Sequence, residues 1–348
     1  MPTEFELIDS YFANSPVNRE DVVLGVGDDA AVVQVPEGYQ LVAAVDTLVS
    51  GVHFFPDVQP DALGHKALAV NLSDFAAMGA VPAWATLALT LPEVDTAWIR
   101  RFSHGFEQLA QQYQVQLIGG DTTRGPLTIS VQLLGYVPAG HAVRRSGARP
   151  GDLIFITGTL GDAGAALAVQ QGMLDAGAEL RGALSQRLNK PLPRVGAGLA
   201  LREVAHAMID ISDGLAADLG HILGQSDVGA RIDFDRLPVS ESLAGLVSQL
   251  NDAAQQRGRM QIKDVDGTRP APWPGYLDFC LAAGDDYELC FIAPADAEDR
   301  IISELRKLEC PMSVVGEIEA APGLRARLAD GTVVTVQPGG YQHFGNDP

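Results

Sequence analysis

The segment Gly25-Val26-Gly27-Asp28-Asp29-Ala30-Ala31 sets two adjacent carboxylates between glycines and alanines, after the apolar run Val22-Val23-Leu24 and before Ala31-Val32-Val33. Like charges side by side in an apolar setting are costly unless a cation neutralises them. The same pattern, an Asp at the polar end of an apolar stretch, recurs at Asp46, Asp74, Asp121, Asp210 with Asp213, and Asp285 with Asp286. One such turn is ordinary, but its repetition along one chain points to a shared cluster of hard oxygen ligands. One or two of these aspartates are expected to be bystanders in helix caps and Asx-turns, for which Gly-Asp and Asp-Gly sequences are well suited.

With 348 residues the chain is long enough for two domains of roughly 150 residues each. A net charge of −20 argues against a nucleic-acid partner, since that affinity comes mainly from Lys and Arg displacing counterions. The three cysteines, Cys280, Cys290 and Cys310, include no C-x-x-C pair, so neither a disulfide framework nor a structural zinc site is indicated, and a reducing cytoplasm is the simplest home. The acidic N-terminus (Glu4, Glu6, Asp9) lacks a signal-peptide pattern. The uncharged stretch Phe75 to Pro92 is interrupted by Gly79 and Pro82, and reads as helix end, turn and strand rather than a membrane span.

In chain order, Thr3-Glu4-Phe5-Glu6 has capping-box spacing before a short helix. A strand Gln40 to Val45 delivers Asp46, and Asp61 is the expected N-cap of an alanine-rich helix running to about Met78, on which Asn71, Asp74 and Met78 share a face. A helix over 95–113 places Trp98, Phe102, Phe106, Leu109 and Tyr113 on one stripe, expected to be core. The strand Gln116-Leu117-Ile118, a loop holding Asp121, and the strand Leu127 to Val137 close an N-terminal domain over 1–137. Residues 138–151, with Arg144, Arg145 and Arg149, read as a linker whose arginines suit phosphate. Residues 152–348 form a C-terminal domain expected to complete the metal and substrate site. It opens with a strand and the turn Gly158 to Gly164, which reads as a tight strand-to-helix turn, and later carries Asp210 and Asp213 at one strand end, expected on the same side by strand alternation, and a loop insertion over Asn251 to Gly275. The fold class is α+β: two domains with mixed β-sheets flanked by helices.

Several chemistries are excluded. There is no G-x-x-x-x-G-K-[ST]. Gly25-x-Gly27-x-x-Ala30 fits a relaxed dinucleotide fingerprint, but its two aspartates would repel pyrophosphate and a β-like run follows them. No histidine pair has zinc-ligand spacing. Aspartates without His or Cys select Mg²⁺, Mn²⁺ or Ca²⁺, and Mg²⁺ usually sits between one or two carboxylates and substrate phosphates. Phosphoryl transfer fits such a set, because its transition state needs positioning and charge neutralisation more than covalent help.

The blocks Gly25 to Ala31, Val45-Asp46-Thr47-Leu48-Val49 with Gly51-Val52-His53-Phe54, Lys66 to Ala80, Leu117 to Arg124, Arg145-Ser146-Gly147-Ala148, Ile211-Ser212-Asp213-Gly214-Leu215 and Gly284 to Leu289 resemble thiamine-monophosphate kinases in order and spacing. The resemblance implies a two-domain α+β fold shared with aminoimidazole ribonucleotide synthetase and selenophosphate synthetase, a homodimer pairing through the N-terminal sheet, and ATP-dependent phosphorylation of thiamine monophosphate to thiamine diphosphate. It implies several Mg²⁺ ions at Asp29, Asp46, Asp74, Asp121, Asp210 and Asp213, ATP at Gly120, Asp121, Arg145 and Ser212, and the thiamine phosphate at His53, Asp285 and Tyr341. Catalytic work would fall to Asp74, Asp121, Asp213 and Arg145.

Two departures stand out: Ala44-Val45 replaces the Ser-Thr that relatives often carry before Asp46, and Asp285 stands where Glu is common. The alternatives are another ATP-using member of the superfamily, such as aminoimidazole ribonucleotide synthetase, and a non-catalytic acidic Ca²⁺-binding protein. The second would most easily use an Asp-x-Asp-x-Asp-Gly…Glu loop, which the chain lacks.

Overall fold

The computed structural model describes residues 4–13, 16–248, 276–337 and 339–341. The chain forms two compact units, Met1–Ala142 with Asn189–Glu203, and Val143–Leu188 with Val204–Pro348. The expected insertion at 251–275, the Thr3 cap and the His343-Phe344 end lie outside the described residues.

The first unit contains α1 (Glu4–Tyr11), β1 (Val22–Leu24), β2 (Val32–Val33), β3 (Tyr39–Val49), α2 (Pro60–Ala77), β4 (Val81–Leu91), α3 (Thr96–Gln112), β5 (Gln116–Arg124) and β6 (Thr128–Pro138). Strands β3, β4, β5 and β6 form one mixed sheet in the order β3-β6-β4-β5, in which only β4 and β5 run parallel. Asp95 caps α3 by accepting the Ala97 and Trp98 N–H groups at 2.9 and 3.1 Å. Along α3, Ile99, Phe102, Phe106 and Leu109 are buried, as the stripe predicts, and Trp98 stacks on Phe102 with centroids 5.2 Å apart. Helices α2 and α3 approach so closely that a Cβ on Gly64 would sit 2.0 Å from the Phe102 carbonyl oxygen, and one on Gly105 only 1.9 Å from that of Asp61.

Two expectations about this unit need correction. Asp61 is not the N-cap of α2: Gln59 holds that position, because Pro60 with its preset φ begins the helix two residues earlier than expected. Asp61 instead pairs with Arg101 at 2.6 Å and Lys190 at 3.0 Å. Strands β3 and β5 also extend past the aspartates expected at their ends. Asp46 pairs with Val131 and Asp121 with Ala88, and hydroxyl pairs Thr47–Ser130 (2.7 Å) and Thr90–Thr123 (3.1 Å) continue the ladders. The threonines that follow each Asp suit a pleated surface, and cross-strand pairing overrides the turn tendency of Gly119-Gly120-Asp121.

The second unit contains β7 (Leu153–Thr157), α4 (Asp162–Gln170) and α5 (Ala178–Asn189); after α6 (Val195–Leu201), which belongs to the first unit, come β8 (Ala207–Asp210), α7 (Leu215–Ser226), β9 (Gly229–Asp233) and α8 over 241–248. It ends with α9 (Tyr276–Ala282), β10 (Leu289–Ala293), α10 (Glu298–Lys307), β11 (Met312–Glu319), β12 (Gly323–Arg327) and β13 (Val333–Val336). Its strands form one sheet in the order β13-β12-β9-β11-β7-β10-β8, parallel only between β12 and β9. Inward residues of β7, β8 and β10, such as Ile156, Ile209 and Ile292, share a core with Leu215, Leu219 and Ile222 of α7 and Leu277 and Leu281 of α9. Both units are therefore helix-flanked mixed sheets, the α+β class expected. Cys280, Cys290 and Cys310 are buried and form no disulfide, and burial pushes the Cys280 and Cys290 thiols above their usual range. Among the described residues no helix is long and apolar enough to cross a membrane.

Candidate functional site

In the first unit, the acidic turn Gly25–Ala31 joins β1 to β2, which pair antiparallel through Val22↔Val33 and Leu24↔Val32. Val22, Ala31, Val33 and Val35 pack on Ala83, Trp84 and Ile118 of the larger sheet. An ion pair locks the approach to this hairpin. Asp21 accepts from Arg19 Nε and Nη2 at 2.9 and 2.7 Å and from Trp84 Nε1 at 2.9 Å, while the Arg19 guanidinium lies 5.9 Å from the Trp84 ring and 6.0 Å from that of Tyr136. Burial opposes the Asp21 charge, but the bonds from Arg19 and Trp84 prevail and hold its carboxyl below the usual range. Within the turn, Asp28 Oδ1 accepts the Asp29 N–H at 2.8 Å, the local self-satisfaction expected of a bystander, and Asp29 is exposed.

The strand register separates the carboxylates of the sheet. Asp46 pairs with Val131, which pairs with Leu87; both partners are buried, so Asp46 lies on the core-facing side near α2, where Asp74 is half-buried. Asp121 pairs with Ala88, and Ala88 with Ser130, which places Asp121 on the opposite, exposed side, at the edge of the sheet away from β3. Gly120 neighbours it on β5. His53 sits in the turn after β3: its Nδ1 accepts the Val49 N–H at 3.0 Å, so the neutral ring carries its proton on Nε2. Lys66 of α2, buried to 2% exposure, reaches the His53 carbonyl oxygen at 3.5 Å. This residue lay inside a recognised block, but nothing in its spacing marks it as a support for His53.

In the second unit the carboxylates converge on the turn between β8 and α7. Asp210 ends β8 opposite Leu289 of β10; the strand stops there, so Asp213 lies in the turn and strand alternation does not relate the two. Asp218, in the first turn of α7, reaches back: its Oδ2 accepts the Asp213 N–H at 3.0 Å and the Gly214 N–H at 3.1 Å. Burial, aided by the charges of Asp210 and Asp213 and opposed by the two N–H groups, pushes the Asp218 carboxyl up to about 7. Asp218 escaped sequence reasoning, although an acid in the first helical turn after Ser-Asp-Gly is the available signal.

The segment 284–288 interlocks with this turn. Asp285 N–H donates to Ser212 O at 2.8 Å, Tyr287 N–H to Ile211 O at 2.9 Å, and Ile211 N–H to Glu288 O at 2.8 Å. Gly284 has φ +70°, and a Cβ there would meet Ser212 O at 2.3 Å, so only glycine fits. Asp285 and Tyr287 also take positive φ, +61° and +49°, a conformation costing of order 1 kcal/mol or more each for non-glycine residues. The Tyr287 hydroxyl donates to Asp285 Oδ1 at 3.0 Å. Tyr341, 46% exposed, is tied to the same turn by its N–H to Asp213 O at 3.2 Å. Arg145 is exposed, on a segment held by Met208 N–H to Arg144 O (3.0 Å) and by Gly147 and Ala148 N–H groups to Ser226 Oγ.

Asp286, which also belongs to the recurrent acidic pattern, turns inward rather than toward this turn. Both its oxygens accept the Gly161 N–H, at 2.9 and 3.0 Å. That donor at the start of α4 is thereby occupied, which agrees with a tight structural turn there. Burial raises the Asp286 carboxyl well above the usual range, against the Gly161 bond and the Arg187 charge and with the help of Asp162 and Glu288. Among the described residues, no three His, Cys, Asp or Glu side chains are gathered closely enough to hold a metal ion by themselves.

Comparison with known proteins bears directly on this arrangement. Residues 27–137 match the AIR synthase related protein N-terminal domain, and residues 149–329 the corresponding C-terminal domain. The chain is 46% identical over 343 residues to the thiamine-monophosphate kinase of Salmonella typhimurium, covering 98% of each. A crystal structure of thiamine-monophosphate kinase from Stenotrophomonas maltophilia K279a is 44% identical, with a TM-score of 0.80 over 94% of this chain and 96% of that one. A structure of AaThiL complexed with AMPPCP and TMP is 30% identical, with a TM-score of 0.72 over 99% of both chains. The acidic turns, the two helix-flanked sheets and the full-length matches agree: the chain belongs to the AIR synthase related family and, within it, to the thiamine-monophosphate kinases.

Proposed function

We propose that the protein transfers the γ-phosphoryl group of ATP to thiamine monophosphate, yielding thiamine diphosphate and ADP. The observation that carries this reading is the match along 98% of the chain to a kinase of that name. The relative bound to AMPPCP, a non-hydrolysable ATP analogue, and TMP supports both substrates. The alternatives, aminoimidazole ribonucleotide synthesis and passive Ca²⁺ binding, are not favoured by these relatives.

The donor set suits Mg²⁺: it consists of carboxylate oxygens alone, several of them exposed or half-buried. Asp29, Asp46, Asp74 and Asp121 are the proposed ligands on the first unit, and Asp210 and Asp213 those on the second, one or two carboxylates with substrate phosphates being the usual donors to an Mg²⁺ ion. When bound, the ions neutralise the charge of the two phosphate-bearing substrates. On the second unit, Arg145 would clamp nucleotide phosphate with Ser212 beside the nucleotide, and Asp285 and Tyr341 are the residues proposed for the thiamine phosphate; on the first, Gly120 is proposed for the nucleotide and His53 for the thiamine phosphate. A neutral His53 with Nε2–H is a hydrogen-bond donor suited to phosphate oxygen. The acceptor phosphate has a second pKa of ~6 and is already ionised near neutral pH, so direct in-line transfer needs no general base.

A second copy of this chain is the proposed partner, paired through the first sheet. Strand β3 is an edge strand whose Tyr39, Leu41 and Val45 are 41%, 55% and 64% exposed, an apolar row at odds with a solvated edge. Val45→Glu is expected to shift the protein to monomer in light scattering, and an unchanged mass would refute this interface. Reduced thiols and reliance on ATP fit a cytoplasmic home.

The deciding experiment is chromatographic: purified protein with ATP, Mg²⁺ and either thiamine monophosphate or thiamine. Thiamine diphosphate with stoichiometric ADP from the monophosphate alone is the expected result. Nucleotide binding with no diphosphate product would discard the proposed acceptor.

A further inference from the structure

Behind the 284–287 segment lies a buried polar network that no part of the phosphoryl-transfer reading uses. The side chains of Asp286 and Glu288 point into the core of the second unit, at 4% and 0% exposure. Asp286 accepts the Gly161 N–H with both oxygens. Glu288 accepts from Thr157 Oγ1 and from Arg187 Nη2, each at 2.8 Å, and Thr157 Oγ1 in turn accepts the Leu289 N–H at 2.8 Å. Arg187 Nε also lies 3.7 Å from Asp162, whose carboxylate accepts from Thr159 and Ser240 hydroxyls. Glu288 and Asp162 thus share one guanidinium, whose charge also acts on Asp286, and a buried arrangement of this kind contributes little to stability by itself.

Its location explains why it is there. Asp286 lies between Asp285 and Tyr287, both non-glycine residues held at positive φ. Such backbone persists only where the surroundings over-determine it. The anchors at 286 and 288 alternate along the chain with Asp285 and Tyr287, and the Tyr287 hydroxyl orients Asp285 Oδ1. We propose that Asp286, supported by the Glu288–Arg187 pair and relayed by Tyr287, is a positioning residue that fixes the direction of the Asp285 carboxylate toward the acceptor substrate. Asp285 is a short side chain, so its reach depends on where the backbone places it.

This inference rests on the assignment of Asp285 to thiamine monophosphate, and its test separates the two. The measurement is kcat and KM for thiamine monophosphate and for ATP, with thermal melting, in Asp285→Asn, Asp286→Ala, Asp286→Asn and Tyr287→Phe. Asp286→Asn keeps an acceptor for Gly161 N–H and is expected to retain the wild-type acceptor KM. Asp286→Ala is expected to raise acceptor KM about tenfold, and Tyr287→Phe, which removes only a hydroxyl and spares the core, about threefold; ATP KM should stay within about twofold in both. If Asp285→Asn raises acceptor KM while Asp286→Ala and Tyr287→Phe leave it unchanged, the positioning role is refuted and the Asp285 assignment stands. If Asp285→Asn leaves acceptor KM unchanged, the assignment and the positioning role fall together. Should Asp286→Ala not fold, Tyr287→Phe decides by the same two outcomes.

Discussion

Asp218 holds Asp213 by the backbone: its Oδ2 accepts the Asp213 N–H at 3.0 Å and the next N–H, that of Gly214, at 3.1 Å. A carboxyl group buried to 2% exposure thus fixes the turn that carries a second, half-buried one. Replacing Asp218 with Ala leaves two N–H groups without this acceptor in a buried turn. The expected outcome is a weaker apparent affinity for Mg²⁺ in the kinase assay, by about tenfold, with ATP and acceptor KM moving less at saturating metal. An Mg²⁺ titration curve that overlays the wild type would refute the link between Asp218 and Asp213.

The same group predicts a pH dependence. Burial holds the folded Asp218 carboxyl at about 7, whereas an unfolded aspartate titrates near about 3.9. Between these values the folded state binds more protons than the unfolded one, so this group's contribution to stability falls as pH rises from about 4 to about 7 and is flat above. Melting temperatures recorded in chelator across this window should decline less steeply for Asp218→Asn than for the wild type. Parallel slopes would show that the group does not titrate there.

Among the proposed metal ligands, Asp74 and Asp213 come from different elements, the α2 helix and the turn after β8. Asp74→Asn and Asp213→Asn each preserve shape and remove a charge, and kcat is expected to drop by roughly a hundredfold or more. Near-normal turnover in either variant would remove that residue from the set.

Tyr341 presents an exposed ring next to the Asp213 turn. A thiazolium over that ring would gain roughly 1 kcal/mol from cation–π attraction. Tyr341→Ala is therefore expected to raise acceptor KM about fivefold, with Tyr341→Phe close to wild type. Equal KM values in the wild type and the Ala variant would exclude ring stacking.

The Arg19–Asp21–Trp84 lock in the first unit is a structural device with a readable signal. Asp21→Ala removes the acceptor for Trp84 Nε1 and for two Arg19 nitrogens, and about 1–3 kcal/mol of stability should be lost. Since the Asp21 carboxyl is held below its usual range, its contribution is present above the unfolded pKa and disappears as pH falls through the folded one. Denaturation monitored by Trp fluorescence at neutral and acidic pH tests both statements.

Much of this protein was legible in one dimension because its signals are local. The periodic stripe of α3, the apolar runs that became β7 and β10, and the recurring acidic turns each depend on residues a few positions apart, where helix and strand periodicity act. Strand continuation past Asp46 and Asp121 was not legible, since it depends on pairing with β6 and β4. Nor was the placement of those aspartates on opposite sides of one sheet, which a shift of one residue in register would reverse. The supports were the most hidden: Asp218 behind Asp213, Asp286 behind Asp285 and Lys66 behind His53. Sequence by itself determined which residue types can meet a hard cation and a phosphate, because that is a property of the side chain. Only the tertiary structure decided which carboxylates point outward and which are buried to hold them, because burial and hydrogen-bond partners come from segments far apart in the chain.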